Sequence, residues 1–111
     1  ILAVPGLDAV LVGPHDMTCH FGVPEQYHHP RFEGAIRELI AKARAANIGV
    51  GVHFFWDTLD QEIGWAKAGE NLMLHSSDIT LFSKALSADI GLLKNALGDA
   101  APEAAGEEVI V

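Results

Sequence analysis

The chain has 111 residues, half of them apolar, which is enough for one domain with a buried core. Its formal net charge is −8, with 7 Lys and Arg against 15 Asp and Glu. This balance argues against nucleic acid or an anionic membrane surface as a partner, because both need clustered positive charge. No apolar run approaches the roughly 18 residues of a membrane-spanning helix. The single cysteine, Cys19, rules out an internal disulfide and indicates a reducing, cytoplasmic location.

The first half of the chain predicts a strand, a helix and a second strand. Residues 9–12 form a short apolar run closed by Gly13-Pro14, which is typical of a buried strand. Apolar side chains recur at helical spacing over 30–46. Residues 48–54 form a second β-rich run, and its two glycines indicate that another segment approaches the backbone closely.

The second half continues this alternation. Residues 58–68 predict a helix, with Thr58 as its N-cap and Gly69 just past its end. Residues 71–75 form a third apolar run, which we interpret as the third strand.

A last helix is predicted over 78–97, capped by Ser77 or Asp78. Its apolar residues follow helical spacing along one face: Ile79, Phe82, Leu86, Ile90, Leu93 and Leu97. Residues 99–111 are acidic and contain no Lys or Arg, so we expect a disordered tail. One domain, 1–98, followed by this tail is therefore the predicted organisation.

The order β-α-β-α-β-α, with buried rather than alternating strands, predicts a parallel α/β fold. Three such units cannot close a barrel. They can form an open sheet or belong to an eight-unit barrel of about 250 residues. Because the chain opens at Ile1 within what looks like a helix end, we interpret it as a piece of a longer or processed protein.

All three predicted strands end in polar residues, at 13–16, at His53 and at 75–78. The carboxyl ends of parallel strands open onto one face, where binding sites are built. Asp16 is the strongest candidate for a residue of such a binding site. Helix N–H groups beside it suit an anion, and its carboxylate suits Mg²⁺ or Mn²⁺, which take their other ligands from substrate and water. The alternative is that Asp16 only caps the following helix.

The histidines leave alternatives open. His15 and His53 are either site residues or neutral, hydrogen-bonded strand-end residues. His75 is ambiguous because it also terminates a strand, and the His28-His29 pair before Pro30 is interpreted as structural. We do not expect Cys19 and the adjacent His20 to form a nucleophilic pair, because neighbouring side chains on a helix diverge.

The stretch GLDAVLVGPHDMT, residues 6–18, resembles a strand and turn of the HpcH/HpaI aldolase/citrate lyase family, the pyruvate-dependent class II aldolases. His29-Pro30 and the segments AANIGVGVH and AGENLMLHSSDITLF resemble later parts of that family. The resemblance extends from residue 1 to about 98. The residues that match the first motif are Gly6, Asp8, Gly13, Pro14, Asp16, Met17 and Thr18.

The resemblance implies that the chain is the C-terminal three β/α units of a (β/α)₈ TIM barrel of the phosphoenolpyruvate/pyruvate-binding type. It implies a class II aldolase that depends on Mg²⁺, Mn²⁺ or Co²⁺ and cleaves a 2-keto-4-hydroxy acid to pyruvate and an aldehyde. By match, Asp16 is the metal ligand, and the N–H groups of His15 and Asp16, next to Pro14, hold the pyruvate carboxylate. His53 lies near the aldehyde.

The same resemblance places a second acidic metal ligand, the catalytic His and an Arg upstream of Ile1. We therefore expect no catalytic base within this chain, and an inactive isolated fragment. Two departures concern the substrate: His15 replaces a small residue, and Ser76-Ser77 stands where Gly is usual.

Two alternative functions remain open. Relatives of the citrate lyase β subunit and malyl-CoA lyase type act on acyl-CoA thioesters, but the Lys and Arg residues here are not clustered for CoA. The second alternative function is that of a non-catalytic half-barrel that serves as an assembly module. The family packs its final helix against a neighbouring subunit, which implies a homo-oligomer formed through 78–97.

Overall fold

The computed structural model describes residues 1–56 and 59–98. The expected N-cap at Thr58 and the expected tail at 99–111 lie outside these described residues. The elements in chain order are β1 (Ala9–Val12), α1 (Pro14–His20), α2 (Pro30–Ala45), β2 (Gly49–Phe54), α3 (Asp60–Ala68), β3 (Leu74–His75) and α4 (Asp78–Leu97).

The three strands form one parallel sheet in the order β1-β2-β3. Val12 of β1 lies opposite Val52 of β2, and His53 lies opposite Leu74 of β3. The sheet confirms the predicted α/β class with parallel strands, in which each helical segment crosses back over the sheet.

The two faces of the sheet differ in burial because side chains alternate along a strand. One face of β2 is fully covered by helices α2 and α3. Its core side chains are Val50, Val52 and Phe54, with Phe32, Ile36, Ile40 and Ala43 of α2 and Trp65 of α3. The opposite face stays open: Leu11 is 51% exposed and His53 is half-buried.

The ends of the helices follow local chemistry. Gly69 ends α3 in the left-handed region with φ 119°, as its position predicts. Ser77 caps α4, because its hydroxyl accepts from the N–H of Thr80. His29 caps α2 through Nδ1, which accepts from the Arg31 N–H at 3.1 Å, so the structural interpretation of His29 is confirmed.

Strand β3 is shorter than the predicted run 71–75. In the segment before it, two side chains take part in the bonding to β2. Asn71 Oδ1 accepts from the N–H of Val50 at 3.0 Å, and Glu70 Oε1 accepts from the N–H of Val52 at 2.8 Å. The backbone N–H groups of Asn71 and Leu72 also donate to the Val50 oxygen, at 3.0 and 3.1 Å, so this segment contacts β2 through backbone and side chains without forming a regular strand ladder before Leu74.

The predicted close approach to the glycines of β2 is confirmed at Gly51. A Cβ placed there would lie 1.8 Å from the backbone oxygen of Leu72. Only glycine leaves room for this neighbouring carbonyl.

The chain divides into two compact units, residues 1–76 and a second unit that starts at Ser77 and contains α4. Helix α4 has 20 residues, and none of them is buried. In the part of the chain that the structure describes, no helix is long and apolar enough to cross a membrane.

Candidate functional site

The turn between β1 and α1 leaves two backbone N–H groups unused by the helix. Gly13 is the N-cap and supplies no side-chain cap, and Pro14 at the first helical position has no N–H. The first intrahelical bond runs from the Met17 N–H to the Gly13 oxygen at 3.1 Å. The N–H groups of His15 and Asp16 therefore have no acceptor within the helix and suit an anion at the carboxyl end of β1.

The Asp16 side chain is exposed in the first turn of α1, next to these N–H groups. It folds back toward the turn, since a Cβ placed on Gly13 would lie 3.1 Å from Asp16 Oδ2. Gly13, not Asp16, is the N-cap residue of α1, and Asp16 is an acidic residue of the first helical turn. Across residues 1–56 and 59–98, no side chain or backbone N–H bonds its carboxylate, which leaves both oxygens available to a ligand.

Asp16 can contribute one ligand to a divalent cation. Among the described residues no group of three or more His, Cys, Asp and Glu side chains could hold a metal ion. The donor set thus fits Mg²⁺ or Mn²⁺, which accept one or two protein carboxylates and complete their octahedron with water and substrate oxygens. It does not fit a closed site made of several protein ligands, such as structural zinc.

His15 presents its backbone to the turn and its side chain to solvent. Its ring is 56% exposed, with Nδ1 3.7 Å from Glu25 Oε1 and Nε2 3.7 Å from Cys19 Sγ. Cys19 therefore contacts His15, one helical turn away, and within the described residues it has no hydrogen bond to the adjacent His20. The His15 carbonyl accepts from the buried Thr18 hydroxyl at 2.9 Å, which fixes the turn.

His53 lies on the open face of β2, beside the carboxyl end of β1. It follows Val52, the partner of Val12. Its Nε2 is 3.0 Å from the Ser76 backbone oxygen, and its ring is 5.2 Å from that of Phe55. Asp16 follows β1, and His53 lies near the carboxyl end of the neighbouring parallel strand β2; no hydrogen bond joins them within the described residues.

His75 belongs to the other face of the sheet. Its ring stacks on Phe54 at 6.3 Å, and its Nδ1 lies 2.8 Å from Glu62 Oε2. Glu62 is only 4% exposed. The ambiguity at His75 is therefore resolved in favour of a packing contact with α3.

The sequence did not indicate the two buried carboxylates, Glu62 and Glu70. Glu62 contacts His75 of β3, and Glu70 accepts from the N–H of Val52 in β2. Burial raises the pKa of Glu70, its bond from the Val52 N–H lowers that pKa, and the nearby Glu62 charge raises it further. The sequence carries no signal for the burial of Glu70, because a charged residue between a helix and a strand is usually exposed to solvent.

An open cleft of about 600 Å³ borders Asp16. It runs along the edge of β1 and α1, and most of its lining is apolar, including Leu11, Met17 and Phe21. The carboxylate therefore stands at the margin of an apolar recess rather than on a flat charged surface.

Comparison with known proteins decides the family. The family model described as HpcH/HpaI aldolase/citrate lyase matches residues 1–85. The chain belongs to this family. The resemblance drawn from residues 6–18 is therefore confirmed, and within the family the chain is similar to aldolases.

Two curated relatives of this aldolase-family chain are named 2-keto-3-deoxy-L-rhamnonate aldolase. The protein from Salmonella dublin is 30% identical, and that from Escherichia coli O1:K1 / APEC is 31% identical. Both matches extend over 96 residues, which is 86% of this chain and 35% of the relative. The chain thus spans about a third of the length of the curated relatives it matches.

Solved structures agree with this assignment. The HpcH/HpaI aldolase from Desulfitobacterium hafniense DCB-2 superposes with a TM-score of 0.75 at 27% identity, over 85% of this chain and 36% of that one. A family protein from Burkholderia cenocepacia J2315 gives a TM-score of 0.75 at 26% identity, with the same coverage. The fold of the chain is similar to that of HpcH/HpaI aldolases, which are of the TIM-barrel type.

Proposed function

We propose that this chain forms part of a divalent-metal-dependent aldolase that cleaves a 2-keto-4-hydroxy acid to pyruvate and an aldehyde. One observation carries the proposal. In an aldolase-family chain, Asp16 presents an exposed, unpartnered carboxylate beside two free N–H groups at the carboxyl end of β1. Such an arrangement can bind a cation and a substrate carboxylate side by side.

Different groups of the β1–α1 turn bind the substrate and the cation. The N–H groups of His15 and Asp16 bind the carboxylate of the keto acid, and Pro14 fixes the turn that presents them. The Asp16 carboxylate holds one position on Mg²⁺, Mn²⁺ or Co²⁺. When bound, the cation supplies Lewis-acid stabilisation for charge that develops on the keto oxygen. His53 lies on the side of the aldehyde.

The proposed reaction is a retro-aldol cleavage. The C4 hydroxyl gives up its proton to a base, the C3–C4 bond breaks, and the carbonyl of the aldehyde forms. The electron pair stays with the pyruvate portion as an enolate, which takes up a proton at C3 to give the methyl group. In this proposal the base and a second acidic metal ligand come from residues outside this chain, so the isolated chain is inactive.

We also propose that the three β/α units are the C-terminal part of a (β/α)₈ barrel. The open face of the sheet supports this, because Leu11 and His53 point to the side that a barrel would enclose. The share of the solved aldolase that the chain covers, 36%, is also what three of eight units require.

The test is exchange of the methyl protons of pyruvate for deuterium, followed by proton NMR in the full-length protein with Mg²⁺ or Mn²⁺. Asp16→Asn should reduce the exchange rate at least a hundredfold, because the cation loses its charged ligand. Asp8→Asn is the matched control, since Asp8 is also exposed and precedes β1, and it should exchange normally. Wild-type exchange in Asp16→Asn would contradict the assignment, and absence of exchange in the wild type would favour the non-catalytic assembly module.

Helix α4 is proposed as the contact of a homo-oligomer. Its apolar face carries Leu86, 47% exposed, and Leu93, 57% exposed. Such a stripe is typical of a surface that another element covers. Replacing both leucines with Asp should lower the mass measured by light scattering, whereas Lys84→Asp, outside the stripe, should not. An unchanged mass in the double variant would refute this role.

A further inference from the structure

Thr18 of α1 is fully buried, and its hydroxyl group takes part in two hydrogen bonds. The hydroxyl oxygen lies 2.9 Å from the backbone oxygen of His15 and 3.2 Å from the backbone nitrogen of Glu25. The Glu25 N–H can only donate, so the hydroxyl accepts from it and gives its own hydrogen to the His15 carbonyl. Both partners are satisfied by a single orientation of the hydroxyl.

The bond from Glu25 distinguishes Thr18 from an ordinary helical threonine. A threonine hydroxyl in a helix commonly donates to a carbonyl three or four residues earlier, and such a bond alone indicates no function. Here the segment after α1 folds back onto Thr18. The Val23 N–H donates to the Thr18 backbone oxygen at 3.0 Å, and Glu25 has φ 59°, which is uncommon for a residue other than glycine. The backbone is thus shaped so that one N–H reaches the buried hydroxyl.

The segment that supplies this N–H is also anchored at its other end. The Tyr27 backbone oxygen accepts from Gln61 Nε2 at 2.8 Å. The Tyr27 ring stacks on that of Trp56 at 4.1 Å between ring centres, and the Trp56 Nε1–H donates to Gln61 Oε1 at 2.9 Å. Helix α3, through Gln61, therefore holds the backbone two residues after Glu25, and the donor for Thr18 has a fixed position.

The carbonyl that accepts from Thr18 belongs to the peptide group that joins His15 to Asp16. Because a peptide group is planar, a bond that holds the His15 carbonyl also fixes the direction in which the backbone enters Asp16. The Asp16 side chain is exposed, and among the described residues no hydrogen bond holds its carboxylate. Its placement therefore depends on the backbone that carries it.

We propose that Thr18 is a positioning residue, whose buried hydroxyl connects the Glu25 N–H to the peptide group before Asp16 and so holds the Asp16 carboxylate in place for a divalent cation. This inference rests on the proposed function and adds a residue that touches neither cation nor substrate. Residues that hold a metal ligand in place contribute to metal affinity without contacting the metal.

The first test measures Mn²⁺ affinity in the full-length protein by electron paramagnetic resonance of the free ion. Thr18→Val keeps the shape of the side chain and removes the hydroxyl, so the Glu25 N–H and the His15 carbonyl each lose a partner. We expect Mn²⁺ to bind about tenfold more weakly. Thr18→Ser keeps the hydroxyl, and as the matched control it should bind Mn²⁺ like the wild type.

A second measurement separates positioning from a loss of stability. Pyruvate proton exchange is followed over a range of Mn²⁺ concentrations. In Thr18→Val the Mn²⁺ concentration for half-maximal exchange should rise about tenfold, while the rate at saturating Mn²⁺ and pyruvate stays within about threefold of the wild type. A variant that is merely unstable loses activity at every Mn²⁺ concentration, and that result would contradict a positioning role.

Hydrogen exchange at residue resolution, followed by mass spectrometry, tests the bond from Glu25 without any ligand. The Glu25 amide should be protected in the wild type and in Thr18→Ser, and it should exchange faster in Thr18→Val. An unprotected Glu25 amide in the wild type would overturn the inference, even if Thr18→Val does not fold.

Three outcomes of the Mn²⁺ titration separate the inference from the proposed function. Equal Mn²⁺ affinity in wild type and Thr18→Val would overturn the inference alone. Equal weakening in Thr18→Val and Thr18→Ser would also overturn it, because the hydroxyl would then not be what holds Asp16. Unchanged Mn²⁺ affinity in Asp16→Asn would overturn the metal site of the proposed function and this inference with it.

Discussion

Carboxylates occupy two contrasting environments in this chain. Glu62 and Glu70 are 4% and 6% exposed, and each uses one oxygen to hold a strand: Glu62 binds His75 of β3, and Glu70 binds the N–H of Val52. Asp16 is exposed and bonds no group in the part of the chain that the structure describes. The buried pair costs desolvation and is kept by its partners, which marks it as structural. Asp16 lies in the first turn of α1, where a negative charge suits the helix dipole, and its exposed oxygens make it the candidate for binding.

This contrast predicts that substitutions at the buried contacts of β2 change stability, whereas substitutions at the β1–α1 turn change activity. The largest effect should come from Gly51→Ala. Its new Cβ would lie 1.8 Å from the Leu72 oxygen, so the backbone at Leu72 must move. We expect a loss of about 3 kcal/mol in the free energy of unfolding, measured by chemical denaturation of the full-length protein.

Gly34→Ala is the matched control for that variant. Gly34 lies inside α2, and a Cβ there meets no atom within 4 Å. This change should leave stability unchanged or raise it by up to about 1 kcal/mol. Equal effects of the two substitutions would mean that the close approach at Gly51 is not a constraint.

A smaller effect, on activity alone, is expected for Gly13→Ala. The added Cβ would lie 3.1 Å from Asp16 Oδ2, so the carboxylate must shift by a few tenths of an ångström. Pyruvate proton exchange should fall roughly tenfold because a metal ligand is displaced, while the unfolding midpoint stays close to that of the wild type. A fall in stability with normal exchange would reverse the contrast between the two regions.

The smallest expected effect is a change in how stability depends on pH, and it comes from Glu70. Burial raises the pKa of this carboxyl above its ordinary value of 4.5, so the fold favours the protonated form. Its stabilising contribution is present below 4.5 and is lost as the pH rises through the raised pKa. Glu70→Gln keeps an acceptor for the Val52 N–H and cannot ionise. It should therefore unfold at a higher temperature than the wild type at about pH 7, with the difference vanishing below 4.5.

Glu38→Gln provides a control of opposite sign. The hydrogen bond and charge of Lys42 lower the pKa of Glu38, so here the fold favours the ionised form. This exposed variant should be slightly less stable than the wild type at about pH 7. If both variants shift in the same direction, burial is not what distinguishes Glu70.

The sequence predicts the elements well where local patterns decide them. The helical spacing of apolar residues fixes α2 and α4, and Gly69 marks the end of α3. Gly13-Pro14 marks the turn that presents Asp16, because strand termination and helix initiation are both local.

Contacts between residues that are distant in sequence could not be predicted from such local patterns. The segment that leads into β3 is held by bonds from β2 N–H groups to the side chains of Glu70 and Asn71, which lie 18 and 21 residues away from their partners. The face on which His75 lies depends on the register of β3 against β2 and on Glu62, 13 residues earlier. Such pairings are set by tertiary packing, which periodicity does not encode.

The most direct measurement is a titration of the full-length protein with Mn²⁺, followed by electron paramagnetic resonance of the free ion. If Asp16 is a metal ligand, Asp16→Asn should weaken binding at least tenfold while Asp8→Asn binds like the wild type, with unfolding midpoints alike in all three proteins. Equal Mn²⁺ affinity in wild type and Asp16→Asn would contradict the account, because the unpartnered carboxylate at the end of β1 would then have no part in the site.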